Sequence, residues 1–181
     1  MPSPSEPAMT RDDQRIAGFA ALAIAISVLE AGFPSPIPGI KPGLANAVSL
    51  IVLLRHGWRV AAWVTLLRVI AGSLLLGSLM APAFWLSLGG AAGGLAALAL
   101  GTGYNRLLPA GAALSAIGLS VLAALAHMAG QFAVAYGVFV PHPGLLRLLP
   151  VLMTAALLFG SVTGWAASQI LRRLPPLPVE S

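Results

Sequence analysis

The chain of 181 residues is 58% hydrophobic and only 8% charged, with a mean hydropathy of +0.91, and a soluble core of that size cannot hide so much apolar surface. Its formal net charge of +5 would suit a nucleic-acid partner in a soluble domain, but the arginines mark the ends of apolar runs, so the composition reads as an integral membrane protein with no nucleic-acid partner. The absence of cysteine excludes disulfides, thiolate metal ligands and thiol catalysis.

The first stretch, Met1–Gln14, is polar and carries Asp12 and Asp13, unlike the basic region of a cleaved signal. Residues 1–15 are therefore expected to be a disordered cytoplasmic tail, residues 16–172 a single transmembrane domain, and residues 173–181 a second cytoplasmic tail. A spanning helix needs about 20 apolar residues. Six segments fit, roughly 16–33, 42–54, 58–80, 83–101, 111–137 and 146–171. The second is short, and Pro42 and Gly43 blur its start, as in a segment that enters the membrane partway behind irregular backbone. Gly57 ends that segment, Ala81-Pro82 divides the third from the fourth, and Pro141-His142-Pro143-Gly144 divides the last two. No internal repeat is evident.

Basic residues near helix ends are retained on the cytoplasmic side. With the N-terminus inside, Arg11, Arg15, Arg55, Arg59, Arg106, Arg172 and Arg173 are cytoplasmic, and Lys41 and Arg147 lie outside. Both termini are thus expected inside a multi-pass protein of the cytoplasmic (inner) membrane, surrounded by lipid.

That topology puts Glu30 and Lys41 at the outer face and Arg68 near the midplane, about ten residues into its span. His127 and Gln131 share one face of the fifth segment in its outer half, and Asn46 lies about one turn into the second. These polar side chains are expected to converge on an outward-facing cavity, because ionisable groups at membrane depth face a partner or a cavity. Arg68 is either a clamp for a ligand carboxylate or phosphate, or one half of an internal ion pair with Glu30. Lys41, the single lysine, either meets an anionic ligand or reaches for lipid headgroups. Asn46, His127 and Gln131 either contact a ligand or tie neighbouring spans together for about 0.6–2 kcal/mol. Of the aromatic residues, Phe33, Trp85 and Tyr136 could stack on a ligand if they turn inward, Phe33 being the preferred one.

Small residues recur in rows. Ala17, Ala21 and Ala25 repeat every four residues, and Gly89, Gly90, Gly93 and Gly94 crowd the fourth segment. Such rows let helix backbones approach closely, within the chain or against another membrane protein. Catalysis lacks its residues: the adjacent acids Asp12 and Asp13 have no second cluster with which to hold magnesium against a diphosphate. There is also no phosphate loop, and no metal site or resident cofactor is expected.

The stretch Gly39-Ile40-Lys41-Pro42-Gly43-Leu44-Ala45-Asn46 resembles the PGIKLGLAN signature of bacterial proteins labelled Gx transporter family or heptaprenyl diphosphate synthase component I. The similarity extends through Glu30, Leu67–Gly77, Leu86–Gly90, Leu114–Ser120, His127–Gln131 and Leu149–Leu152, covering about residues 16–172. Pro42 and Met128 depart from the family's usual leucine and asparagine. The resemblance implies an all-α bundle of six transmembrane helices like the S-components of energy-coupling-factor vitamin transporters. It also implies a small-molecule site near the outer face, and a first-helix alanine row (Ala17, Ala21, Ala25) that docks a coupling membrane subunit. Related proteins suggest a flavin, FAD or FMN, as the transported ligand. The synthase label implies instead a non-catalytic membrane subunit of polyprenyl diphosphate synthesis.

Overall fold

The computed structural model describes residues 9–32, 43–109 and 111–175, and the regular structure among them is entirely helical. The helices are α1 (Arg11–Gly32), α2 (Leu44–His56), α3 (Trp58–Leu75), α4 (Pro82–Asn105), α5 (Ala116–Val134), the single turn α6 (Pro143–Leu146) and α7 (Leu149–Arg173). A π-helical turn, Ala135–Phe139, extends α5.

Five helical segments are long and apolar enough to cross a membrane: α1, α3, α4, α5 with its π turn, and α6 with α7. Their outer surfaces are oily. Leu29 is 66% exposed, Leu74 and Leu158 62%, and Trp165 58%, an arrangement that lipid rather than water accommodates. The chain is a multi-pass membrane protein. The second expected span differs in kind from the others, because the 13 residues of α2 reach only about 20 Å at 1.5 Å per residue. It is also the most enclosed helix, with seven of its residues buried against three in α1.

The helices close into a ring. α4 packs most extensively on α5, α5 on α7, α7 on α2, α2 on α1, α1 on α3, and α3 returns to α4, while α2 also touches α3 and α5. The central apolar cluster accordingly joins Val48, Leu50, Val52 and Leu53 of α2 to Val60, Ala61 and Val64 of α3, with Ala23, Leu98, Leu119 and Ala167 contributed by the other helices.

Several boundaries differ from the sequence reading for local reasons. α1 starts at Arg11, inside the stretch expected to be a disordered tail. Thr10 and Asp13 explain the early start: the Asp13 N–H donates to the Thr10 hydroxyl (3.2 Å), and the Thr10 N–H donates to the Asp13 carboxylate (2.9 Å), a reciprocal cap. The third segment ends at Leu75, not at residue 80. Gly77 (φ 64) donates to the Leu74 carbonyl, and Ser78 donates to that of Ser73 at 2.8 Å, a left-handed termination that glycine permits without strain. The fifth segment starts at Ala116, where the Ser115 side chain accepts from the Gly118 N–H. The residues before it are held by Asn105, whose amide donates to the Leu114 carbonyl and accepts from its N–H.

The glycine row of α4 serves internal packing. A Cβ on Gly89 would lie 3.0 Å from the Gly130 carbonyl oxygen, one on Gly93 would collide with the Ala126 carbonyl, and one on Gly130 would collide with that of Gly89. A second pair, Gly160 and Gly164 of α7, meets the other side of α5: a Cβ on Gly160 would lie 3.1 Å from Val121 Cα, and one on Gly164 2.8 Å from Ile117 Cα. α5 is thus held backbone to backbone between two helices, the arrangement small residues make possible in lipid. Gly93→Leu is expected to destabilise the protein by about 1–3 kcal/mol through overpacking. Gly103→Ala, whose added methyl meets open space, should be neutral or stabilising by up to about 1 kcal/mol. Melting temperatures of the two variants in detergent test this, and equal values would contradict the packing described.

Candidate functional site

A cavity of about 80 Å³ opens inside the ring, where α2, α3, α4, α5 and α7 diverge. Each helix lines it with residues three or four apart, which share one helical face. α2 gives Asn46 and Ser49, α3 gives Thr65 and Arg68, α4 gives Ala91, Gly94 and Leu98, α5 gives Ser120, Ala124 and His127, and α7 gives Ala156, Gly160 and Thr163. The volume is enough for several waters.

Arg68 is the group around which the rest is arranged. It lies ten residues beyond Trp58, about 15 Å along the axis, or half the thickness of a hydrocarbon core of about 30 Å. Its Nε is buried without a hydrogen-bond partner. Among the described residues the sole ion pair joins Arg15 to Asp12 at 3.2 Å, so the direct Glu30–Arg68 pair weighed from sequence is not formed.

Glu30 has another task. It is 7% exposed, and its Oε1 accepts a hydrogen bond from the Leu44 N–H at 2.7 Å. The N-cap position of α2 is Gly43, left-handed at φ 73 and without a side-chain cap. A carboxylate from the end of α1 therefore supplies the acceptor that a Ser or Asp would ordinarily bring, and its charge suits the positive end of the helix.

Two hydroxyl pairs cross the cavity wall, and the sequence reading missed both. Ser49 Oγ lies 2.8 Å from Thr65 Oγ1, joining α2 to α3. Ser120 Oγ lies 3.1 Å from Thr163 Oγ1, joining α5 to α7. Thr163 donates its proton to the Phe159 carbonyl at 2.8 Å, so Ser120 is the donor in the second pair. Their signal in the sequence is spacing: Ser49 is three residues from Asn46, and Thr65 three from Arg68.

The other expected site residues divide. Asn46 and His127 line the cavity with Arg68, and the His127 ring lies against Gly90. Gln131 packs its Cγ on Gly90 and does not line the cavity. Phe33 and Lys41 lie outside the described residues. Trp85 is 43% exposed and meets Phe84 edge-on at 5.3 Å. Tyr136 stacks on Phe132 at 6.2 Å. Neither turns into the cavity, whereas Phe159 does. Ala17, Ala21 and Ala25 are all exposed on the outer face of α1. Among the described residues no three His, Asp or Glu side chains cluster as a metal site would need.

Removing the borrowed cap should separate Glu30→Ala from Glu30→Gln. The alanine variant is expected to lose about 1–2 kcal/mol, while glutamine, which keeps a carbonyl acceptor, loses less. Thermal unfolding together with hydrogen exchange at the Leu44 amide checks this, and unchanged exchange in Glu30→Ala would refute the capping role.

A family model described as heptaprenyl diphosphate synthase component I matches residues 19–170. No curated protein matches, and no solved structure matches.

Proposed function

We infer the function from one premise: the chain belongs to the heptaprenyl diphosphate synthase component I family. On that premise it acts as a non-catalytic membrane component of heptaprenyl or polyprenyl diphosphate synthesis, with the bond-forming chemistry in a partner subunit. The family match across nearly the whole membrane domain carries this reading. The acid content supports it. The sequence has only five Asp and Glu residues, and Glu30 is engaged by the start of α2, which leaves no paired clusters for magnesium-bound diphosphate. The partner is proposed to dock on the exposed Ala17, Ala21 and Ala25 face of α1, where small side chains let another helix approach closely.

A second reading is favoured by one observation, the unpartnered Arg68 Nε in an intramembrane cavity. An S-component-like carrier would use such a site to hold a small anionic substrate in the outer half of the membrane, with Asn46 and His127 as polar contacts. The cavity lining gives no support to a flavin: Phe159 is its single Phe, Tyr or Trp among the described residues, and the family match points to isoprenoid synthesis instead.

Reconstitution decides between the two readings. A soluble acidic-motif polyprenyl diphosphate synthase is expected to gain activity or longer products when mixed with this chain in vesicles, and Ala21→Leu to weaken that effect several-fold. A synthase indifferent to the chain would remove the first reading. Orientation is tested separately, with both termini proposed to face the cytoplasm and the protein to reside in the cytoplasmic membrane. Since the chain has no cysteine, single substitutions report cleanly. Ser78→Cys and Val140→Cys should react with an impermeant maleimide from outside, and Thr10→Cys and Ala112→Cys only after lysis. The opposite pattern would invert the topology.

A further inference from the structure

We propose that the Arg68 cavity binds a singly charged carboxylate carrying a compact apolar body. The proposal deepens the carrier reading by naming what that site accepts, and it does not depend on the synthase reading.

The charge of the ligand follows from the charge of the site. Arg68 is the one lysine or arginine lining the cavity among the described residues, and its Nε is buried with no partner in the protein. A guanidinium at mid-membrane depth needs an acceptor, and Glu30, whose carboxylate accepts from the Leu44 N–H, forms no direct ion pair with it. A ligand bearing one negative charge completes the pair. A diphosphate would bring several charges against one, and the excess would stay unneutralised in a low-dielectric site. The planar fork of the guanidinium matches a carboxylate, which it can engage with two parallel hydrogen bonds.

A second donor stands on the same face, one turn away. Ser49 and Thr65 share one hydrogen bond of 2.8 Å but carry two hydroxyl protons. Thr163 and Thr102 return theirs to carbonyls of their own helices, whereas no such bond occupies Ser49 or Thr65 among the described residues. One proton of the pair is therefore available to the oxyanion. Apart from these donors and the polar groups of Asn46, Ser120, His127 and Thr163, the wall is apolar, with Leu95, Leu98, Met128 and Phe159 its largest members, and gives a compact hydrocarbon body a surface to pack on.

The test uses the full-length protein in neutral detergent, with hexanoate, hexan-1-ol and inorganic diphosphate as probes in calorimetric titrations. The parent is expected to bind one hexanoate per chain, more tightly than hexan-1-ol or diphosphate. Arg68→Gln should weaken hexanoate about tenfold or more and leave hexan-1-ol unchanged, with Arg68→Lys intermediate. Should Arg68→Gln not fold, Ser49→Ala combined with Thr65→Val is expected to lower hexanoate affinity several-fold while sparing hexan-1-ol. Equal hexanoate affinity in parent and variants, no saturable binding by the parent, or tighter binding of diphosphate would each overturn the proposal. Retained hexanoate binding without uptake in vesicles would refute the carrier reading alone.

Discussion

The hydrogen bond from the Leu44 N–H to the buried Glu30 carboxylate sets the terms for the rest of the molecule. α2 begins at a left-handed glycine that has no side chain to cap it, and a helix start buried without acceptors is costly. Borrowing a carboxylate from α1 meets that need and binds the end of one helix to the start of the next. Anchored there, Glu30 makes no direct ion pair with Arg68, whose guanidinium faces the cavity.

That cavity exists because packing is uneven around the ring. On one side, glycines of α4 and α7 draw α5 into backbone contact, where no side chain of any size fits. On the other, α2 and α3 meet through larger side chains, Val48, Leu50, Val52 and Val64. Where the close side and the wide side join, space remains, and the residues bordering it are polar on α2 and α3 and mostly apolar on α4 and α7. Hydroxyl pairs rather than charges span the α2–α3 and α5–α7 seams, which suits lipid surroundings, where neutral hydrogen bonds hold helices together at little desolvation cost.

Much of this was legible in the sequence. Hydropathy and glycine or proline breaks place the helices, and the rarity of charge inside the spans singles out Arg68, Asn46 and His127, which do meet. The α4 glycine row declares close packing by its spacing. What was hidden is hidden for physical reasons. The partner of Glu30 is a backbone amide, and backbone groups leave no trace in residue identities. Ser49, Thr65, Ser120 and Thr163 look like ordinary helix residues until their helices are placed side by side. Thr10 and Asp13 look like tail composition, because a reciprocal cap needs only two residues and its effect extends over the next turn. The Gly160-to-Gly164 spacing, by contrast, is plain in the sequence.

The brevity of α2 has a consequence for how the protein is made. A segment of 13 residues offers a translocating machinery too little oil to be released into the bilayer by itself, and only Gly57 separates it from α3. The two form one helical hairpin whose inner wall carries the Ser49–Thr65 pair, so any step that partitions the chain span by span meets α2 and α3 as one unit, the long helix supplying the oil that the short one lacks.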